Sequence, residues 1–293
     1  MRASISSGAR AALRLASSLL GAWLMVGSAR LAAAEAAPLT VCLLSHNAPY
    51  STRADERGFD LDTARAVASR LSRPLLIAWT ANDPHIDEFD DSDFPLRKLA
   101  KGACDLIFSM PGPASDTLRQ SPKLALGANY YGAAFELLSC DSASPKGLRG
   151  LRGMTIAIQS QTVAHFAALM VKAKPNNYFS LDAAIEGLRK HETDAALLWG
   201  PTTGWRLSKA SSTVEPACGF VAGYEPHAAV RWNLAVATRK DDEALRVAVD
   251  GALVQITAQG ELQQIAARYG IPLHKPFERT YSLGALNDLQ QGR

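Results

Sequence analysis

The chain has 293 residues, 47% of them apolar and 20% charged; that length supports about two domains with full cores, and the balance excludes wholesale disorder. The formal net charge is +3, from 31 Lys and Arg against 28 Asp and Glu. Residues 1–34 hold four arginines and no acid, so the rest of the chain has 27 basic and 28 acidic residues, a net of −1, which argues against a nucleic-acid binder.

Residues 1–34 read as a secretory signal peptide. Arg2, Arg10 and Arg14 precede an uncharged apolar stretch over 15–29, and Ala32, Ala33 and Ala34 form a small-residue exit. The stretch is shorter than the ~20 residues that span a bilayer. Export to the periplasm with cleavage after Ala34 is therefore expected, with no membrane insertion afterwards. In that oxidising compartment Cys42, Cys104, Cys140 and Cys218 favour disulfides over metal or redox roles, and four cysteines allow three pairings.

Downstream, residues 40–44 are apolar and predict a strand. Leu61, Ala64, Ala68 and Leu71 recur at helical spacing within 58–71, with Asp60 near the start. Residues 75–79 predict a buried strand, 94–101 a helix and 105–109 a strand. The same alternation restarts with strand 154–158, helix 162–172, a short strand at Tyr178 and Phe179, helix 181–190 capped by Ser180, and strand 194–199. Alternating strands and helices predict parallel sheets flanked by helices. Residues 133–138, between the repeats, and 232–238, after the second, read as crossover strands about which the lobes would rotate. Helices over 241–259 and 261–269 follow, and the tail after Pro276 is polar and expected to be loosely held. The expected organisation is lobe 1 over 35–138, lobe 2 over 139–231, a return to lobe 1 over 232–276 and a tail over 277–293.

Ligands of open α/β sheets bind beyond the carboxyl ends of strands. Those ends are 45–50, with Asn47 and Tyr50; 109–119, with Ser109 and Arg119; 159–162, with Gln161 and Thr162; and 199–204, starting at Trp199. Gln161 and Thr162 at a helix start suit either a cradle for a polar or anionic solute or ordinary capping. Arg119 suits a carboxylate clamp or an ion pair with Asp116. Tyr50, Trp199 and Trp205 suit aromatic cleft walls or core packing. The acidic run over 83–93 lacks the glycine and spacing of a calcium loop and reads as a solvated surface. The six histidines form no metal-binding doublet, and no nucleophile elbow, phosphate loop or dinucleotide fingerprint occurs. No catalytic residue, metal or cofactor is expected, and an enzyme built on this fold ranks behind a binding function.

Several segments resemble a known family. Residues 39–42, Asn47-Ala48-Pro49-Tyr50, Gly58-Phe59-Asp60 and Gly102-Ala103-Cys104-Asp105 are similar to the first lobe of the polar-amino-acid (family 3, type II) periplasmic solute-binding proteins. The pair Cys42 and Cys104, the stretch 193–204 through Trp199-Gly200-Pro201, and the ending over 239–246 and 266–272 resemble the quinoprotein-dehydrogenase-associated (MxaJ/XoxJ-like) group. The resemblance implies a two-lobed α/β fold with two hinge crossovers. It also implies a ligand cleft containing Asn47, Tyr50, Asp60 and Ser109 from one lobe and Gln161, Thr162 and Trp199 from the other, with Arg119 on a carboxylate. Trp199 stands where amino-acid receptors of the family carry the acid that holds the ligand ammonium, so standard α-amino acids are not the expected ligands. The implied partner is a PQQ-dependent alcohol or methanol dehydrogenase; the alternative is an ABC permease served by a receptor for a small polar or anionic solute. The resemblance includes the pair Cys42–Cys104, and the expected first-lobe sheet sets their two strands side by side. That leaves Cys140–Cys218 as the second bridge.

Overall fold

The computed structural model describes residues 36–82, 94–112, 121–141, 145–209 and 217–292. The expected signal peptide, the acidic run over 83–93 and Arg119 lie outside them. No helix among the described residues is long and apolar enough to cross a membrane.

In chain order the first part contains β1 (Leu39–Leu44), β2 (His46–Asn47), β3 (Ser51–Thr52), α1 (Phe59–Arg70), β4 (Leu75–Thr80), α2 (Pro95–Ala100), β5 (Ile107–Pro111) and β6 (Leu124–Ser139). The second contains β7 (Thr155–Gln159), α3 (Val163–Met170), β8 (Lys174–Tyr178), α4 (Leu181–Arg189), β9 (Ala195–Trp199), α5 (Gly200–Lys209) and β10 (Gly219–Phe220). The closing elements are β11 (Arg231–Arg239), α6 (Glu243–Ala258), α7 (Glu261–Arg268) and α8 (Leu283–Gln290).

One lobe is built on β4-β1, with β1 bridging in parallel from Val41 to Leu106 beside β5, and on β5-β11-β6. The other is built on β6-β9-β7-β8, with β10 also on β6. The sheets are mixed where mainly parallel ones were expected. Pairs β1–β4, β7–β8 and β7–β9 are parallel, while β6 and β11 run antiparallel to their neighbours because they carry the chain back across the molecule. The 16-residue β6 belongs to both sheets: Leu124 to Ala134 pair with β11, and Phe135 to Leu138 pair with β9.

Each lobe has its own apolar core. Leu39, Val41, Phe59, Leu106, Tyr131 and Ile256 mark the first, and Leu137, Leu151, Ile156, Ile158 and Leu197 the second. Trp199 and Trp232 pack against both. Ser180 caps α4 as expected, its Oγ accepting from the Ala183 N–H at 3.1 Å. Two expectations are corrected. Strand β8 ends at Tyr178, and Phe179 stands 96% exposed outside it, because parallel pairing with β7 takes Lys174 through Tyr178 instead. The polar tail carries α8, which buries Ala285 and Leu289 in the second core and is capped by Ser282 at 3.0 Å.

Cys42–Cys104 and Cys140–Cys218 are both bridged. Cys42 lies in β1, whose neighbour Val41 pairs with Leu106 two residues beyond Cys104, and the Cα atoms are 5.6 Å apart, inside the range a disulfide tolerates. Antiparallel pairing of Ser139 with Gly219 sets Cys140 against Cys218 in the same way. Converting both Cys42 and Cys104 to alanine is expected to cost about 2–4 kcal/mol. Urea unfolding measures the loss, and peptide mapping without reduction checks that Cys140–Cys218 survives.

Candidate functional site

The site begins with a glycine. Gly58 sits at φ +144°, and a Cβ there would lie 2.2 Å from the Tyr50 carbonyl oxygen and 2.6 Å from the Ser51 Cα. Only glycine allows the 47–52 loop to lie on the start of α1. The contact is fixed by the Phe59 N–H donating to Pro49 O at 2.8 Å and the Asp60 N–H donating to Tyr50 O at 2.9 Å. Tyr50 and Asp60 are thereby brought to the same end of the first-lobe sheet.

Strand β5 adds Ser109. Ile107 pairs with Ala237 and Met110 with Ala235, so Phe108 and Ser109 together oppose Val236. This is a β-bulge, and bulges re-aim side chains at site edges. Ser109 takes φ +53°, a left-handed conformation costing on the order of 1 kcal/mol for a residue with a Cβ. Its Oγ donates to Asp60 Oδ1 at 2.5 Å and lies 3.0 Å from the Tyr131 hydroxyl, while its N–H donates to Tyr130 Oη at 3.2 Å. The second lobe reaches in through Trp199, at the end of β9, whose indole N–H donates to Tyr50 Oη at 3.0 Å.

Tyr50, Asp60, Ser109 and Trp199 line a cavity of about 530 Å³ whose other walls include Leu43, Phe94, Phe108, Met110, Phe135, Trp232 and Leu234. Phe135, Trp199 and Trp232 form an aromatic corner with centroids 5.5 to 6.0 Å apart, and Tyr281 from the tail stacks on Trp232 at 5.1 Å. Asp60 is 6% exposed. Burial pushes its carboxyl up to about 7, against a smaller opposing effect of the Ser109 hydrogen bond. Burial likewise raises the hydroxyls of Tyr50, Tyr130 and Tyr131. The cleft is therefore an apolar, aromatic chamber with one titrating carboxyl and a cluster of hydroxyls, and among the described residues no three His, Cys, Asp or Glu side chains gather to hold a metal.

No protein-family model and no curated protein sequence matches the chain significantly. Solved structures do. The L-cystine solute receptor of Neisseria gonorrhoeae, unliganded and open, superposes with a TM-score of 0.65 at 17% identity over 80% of this chain and 93% of that one. The second substrate-binding domain of Lactococcus lactis GlnP, also open, gives 0.62 at 17% over 79% and 94%. MxaJ from Methlophaga aminisulfidivorans gives 0.60 at 20% over 80% and 99%. The chain has the two-lobed type II periplasmic-binding-protein fold.

In this fold the chamber lies between the lobes. Asn47, Tyr50, Asp60, Ser109 and Trp199 all line it, whereas Gln161 and Thr162 do not. Thr162 turns its hydroxyl to the Gln159 carbonyl at 2.8 Å, and Gln161 sits exposed at φ +63° in the turn before α3. Trp205 packs on Tyr269 with centroids 5.7 Å apart, away from the cavity lining. Tyr130, Tyr131, Phe135 and Trp232 were not singled out from sequence. Their signal was the tyrosine pair ahead of the apolar crossover, since a buried tyrosine hydroxyl needs a partner.

The Trp199–Tyr50 bond joins the lobes. Tyr50→Phe and Trp199→Phe are each expected to cost about 1 kcal/mol. The double variant should cost little more than either alone, and a double-mutant cycle by urea unfolding reads the coupling.

Proposed function

We propose that the chain is an exported solute-binding protein whose inter-lobe chamber takes a small, predominantly apolar solute for delivery to a membrane permease. The observation that carries this reading is the aromatic corner of Phe135, Trp199 and Trp232 facing Tyr50 across about 530 Å³. Such a chamber, largely apolar with a few convergent polar groups, is the ordinary form of a small-molecule site. Similarity in fold to the L-cystine solute receptor and to the GlnP substrate-binding domain supports it. Trp199, where amino-acid receptors carry an acid, turns the specificity away from α-amino acids. Binding is the role this reading assigns, because the chamber wall is mostly apolar and aromatic and the Ser109 hydroxyl is held on the Asp60 carboxyl. A thermal-shift screen of the exported protein tests the proposal: a ligand at 100 times its Kd adds about 2.7 kcal/mol. Silence across alcohols, amines, aromatic acids and amino acids would count against it.

A second reading is an accessory protein that docks on a PQQ-dependent alcohol dehydrogenase. The likeness in fold to MxaJ and the close packing of α5 on the turn after α7, at Gly204 and Gly270, favour a body that presents a fixed surface. Calorimetry with purified quinoprotein dehydrogenases decides between a docked complex and a free receptor.

A further inference from the structure

Among the described lining residues Asp60 is the one carboxyl. Asp60 Oδ1 is taken by Ser109, and Oδ2 makes no hydrogen bond among the described residues. No lysine, arginine or histidine is among the described lining residues. The groups packed around Asp60 are the hydroxyls of Tyr50 from the 47–52 loop, Ser109 from β5, and Tyr130 and Tyr131 from β6. A largely buried carboxyl with one oxygen open to the chamber is placed to pair with a bound cation. The same lining carries the rings of Tyr50, Trp199, Trp232 and Phe135. The faces of such rings attract ammonium groups, and quaternary ammonium ligands are held by aromatic cages of this composition.

We propose that the solute of this cleft is a small organic cation, an amine or quaternary ammonium compound, held by Asp60 from the first lobe and by the aromatic corner from the second. The inference rests on the cleft being a solute site. Asp60 then supplies, from the opposite lobe, the negative charge that Trp199 cannot. Because burial raises the carboxyl towards neutral pH, a cation must displace its proton, so binding strengthens as pH rises from about 6 to 8 and releases a proton near pH 7.

The test is isothermal calorimetry on the wild-type protein with two matched pairs: choline against 3,3-dimethylbutan-1-ol, and benzylamine against benzyl alcohol. The expected result is at least tenfold tighter binding of the cation in each pair. Choline binding should also release protons at pH 7, read from buffers of different ionisation enthalpy. Asp60→Asn should abolish the tenfold advantage of the cation over its neutral partner in each pair. The proton-release measurement needs no variant and stands even if Asp60→Asn folds poorly. Neutral compounds binding as tightly as their cations, or choline binding without proton release, would overturn the inference and leave a chamber for neutral solutes. Silence of both members of both pairs would overturn the inference, and the wider thermal-shift screen would then decide separately whether the cleft binds any solute.

Discussion

Gly204→Ala is expected to destabilise the protein by 3 kcal/mol or more. A Cβ at Gly204 would lie 1.9 Å from the carbonyl oxygen of Gly270 and 2.9 Å from its carbonyl carbon. Both atoms are backbone, so no side chain can swing aside. The contact is reciprocal, since a Cβ at Gly270 would lie 2.5 Å from Gly204 O. Overpacking a core costs about 1–3 kcal/mol when side chains can shift, and more when they cannot. The contact also sets the N-terminal half of α5, which begins directly after Trp199, against the turn that follows α7, so relief by backbone movement would displace the chamber wall. Gly251→Ala is the control with the opposite sign. Gly251 is exposed within α6 with nothing inside 4 Å of its added Cβ, and alanine there should stabilise by about 0.5–1 kcal/mol. Denaturant unfolding of both variants gives the comparison. A loss below about 1 kcal/mol for Gly204→Ala would mean that α5 does not approach so closely.

The second large effect is a dependence of stability on pH that Asp60 alone should produce. Its carboxyl titrates near 7 in the folded chain and near 3.9 when unfolded. Between those values the folded state holds a proton that the unfolded state has released, so stability falls as pH rises. The contribution is fully present below about pH 4 and gone above about pH 7, and is on the order of 4 kcal/mol. Asp60→Asn mimics the neutral form at every pH. The difference in unfolding free energy between variant and wild type should therefore shift in the variant's favour by that amount from pH 4 to pH 8. Parallel curves for the two proteins would show that Asp60 is ionised and well solvated.

Much of the alternation was legible because buried strands such as β9 and amphipathic helices such as α4 impose their periods on apolar residues. Strand β8, Lys-Pro-Asn-Asn-Tyr, carries no such signal; it is a strand because β7 offers it a ladder. The crossover β6 was readable only from Ala133 onward, since Gly127, Asn129 and Gly132 interrupt the apolar pattern of its first half, and pairing with β11 supplies the order instead. In the site, the strand-end rule led to Tyr50, Ser109 and Trp199, and the Gly58-Phe59-Asp60 motif to Asp60. It also led to Gln161 and Thr162, whose side chain or turn is satisfied locally. Tyr130 and Tyr131 escaped notice because they lie in the half of β6 with no readable period.

The shared strand has a further consequence. Leu124–Ser139 completes both sheets, so neither half of the molecule has a full hydrogen-bonded ladder without it. Amides of β6 that donate to either ladder should be among the last in the chain to exchange with solvent. The two halves are thus bound into a single cooperative unit, and excising either one would leave an unpaired sheet edge of the kind that seeds aggregation.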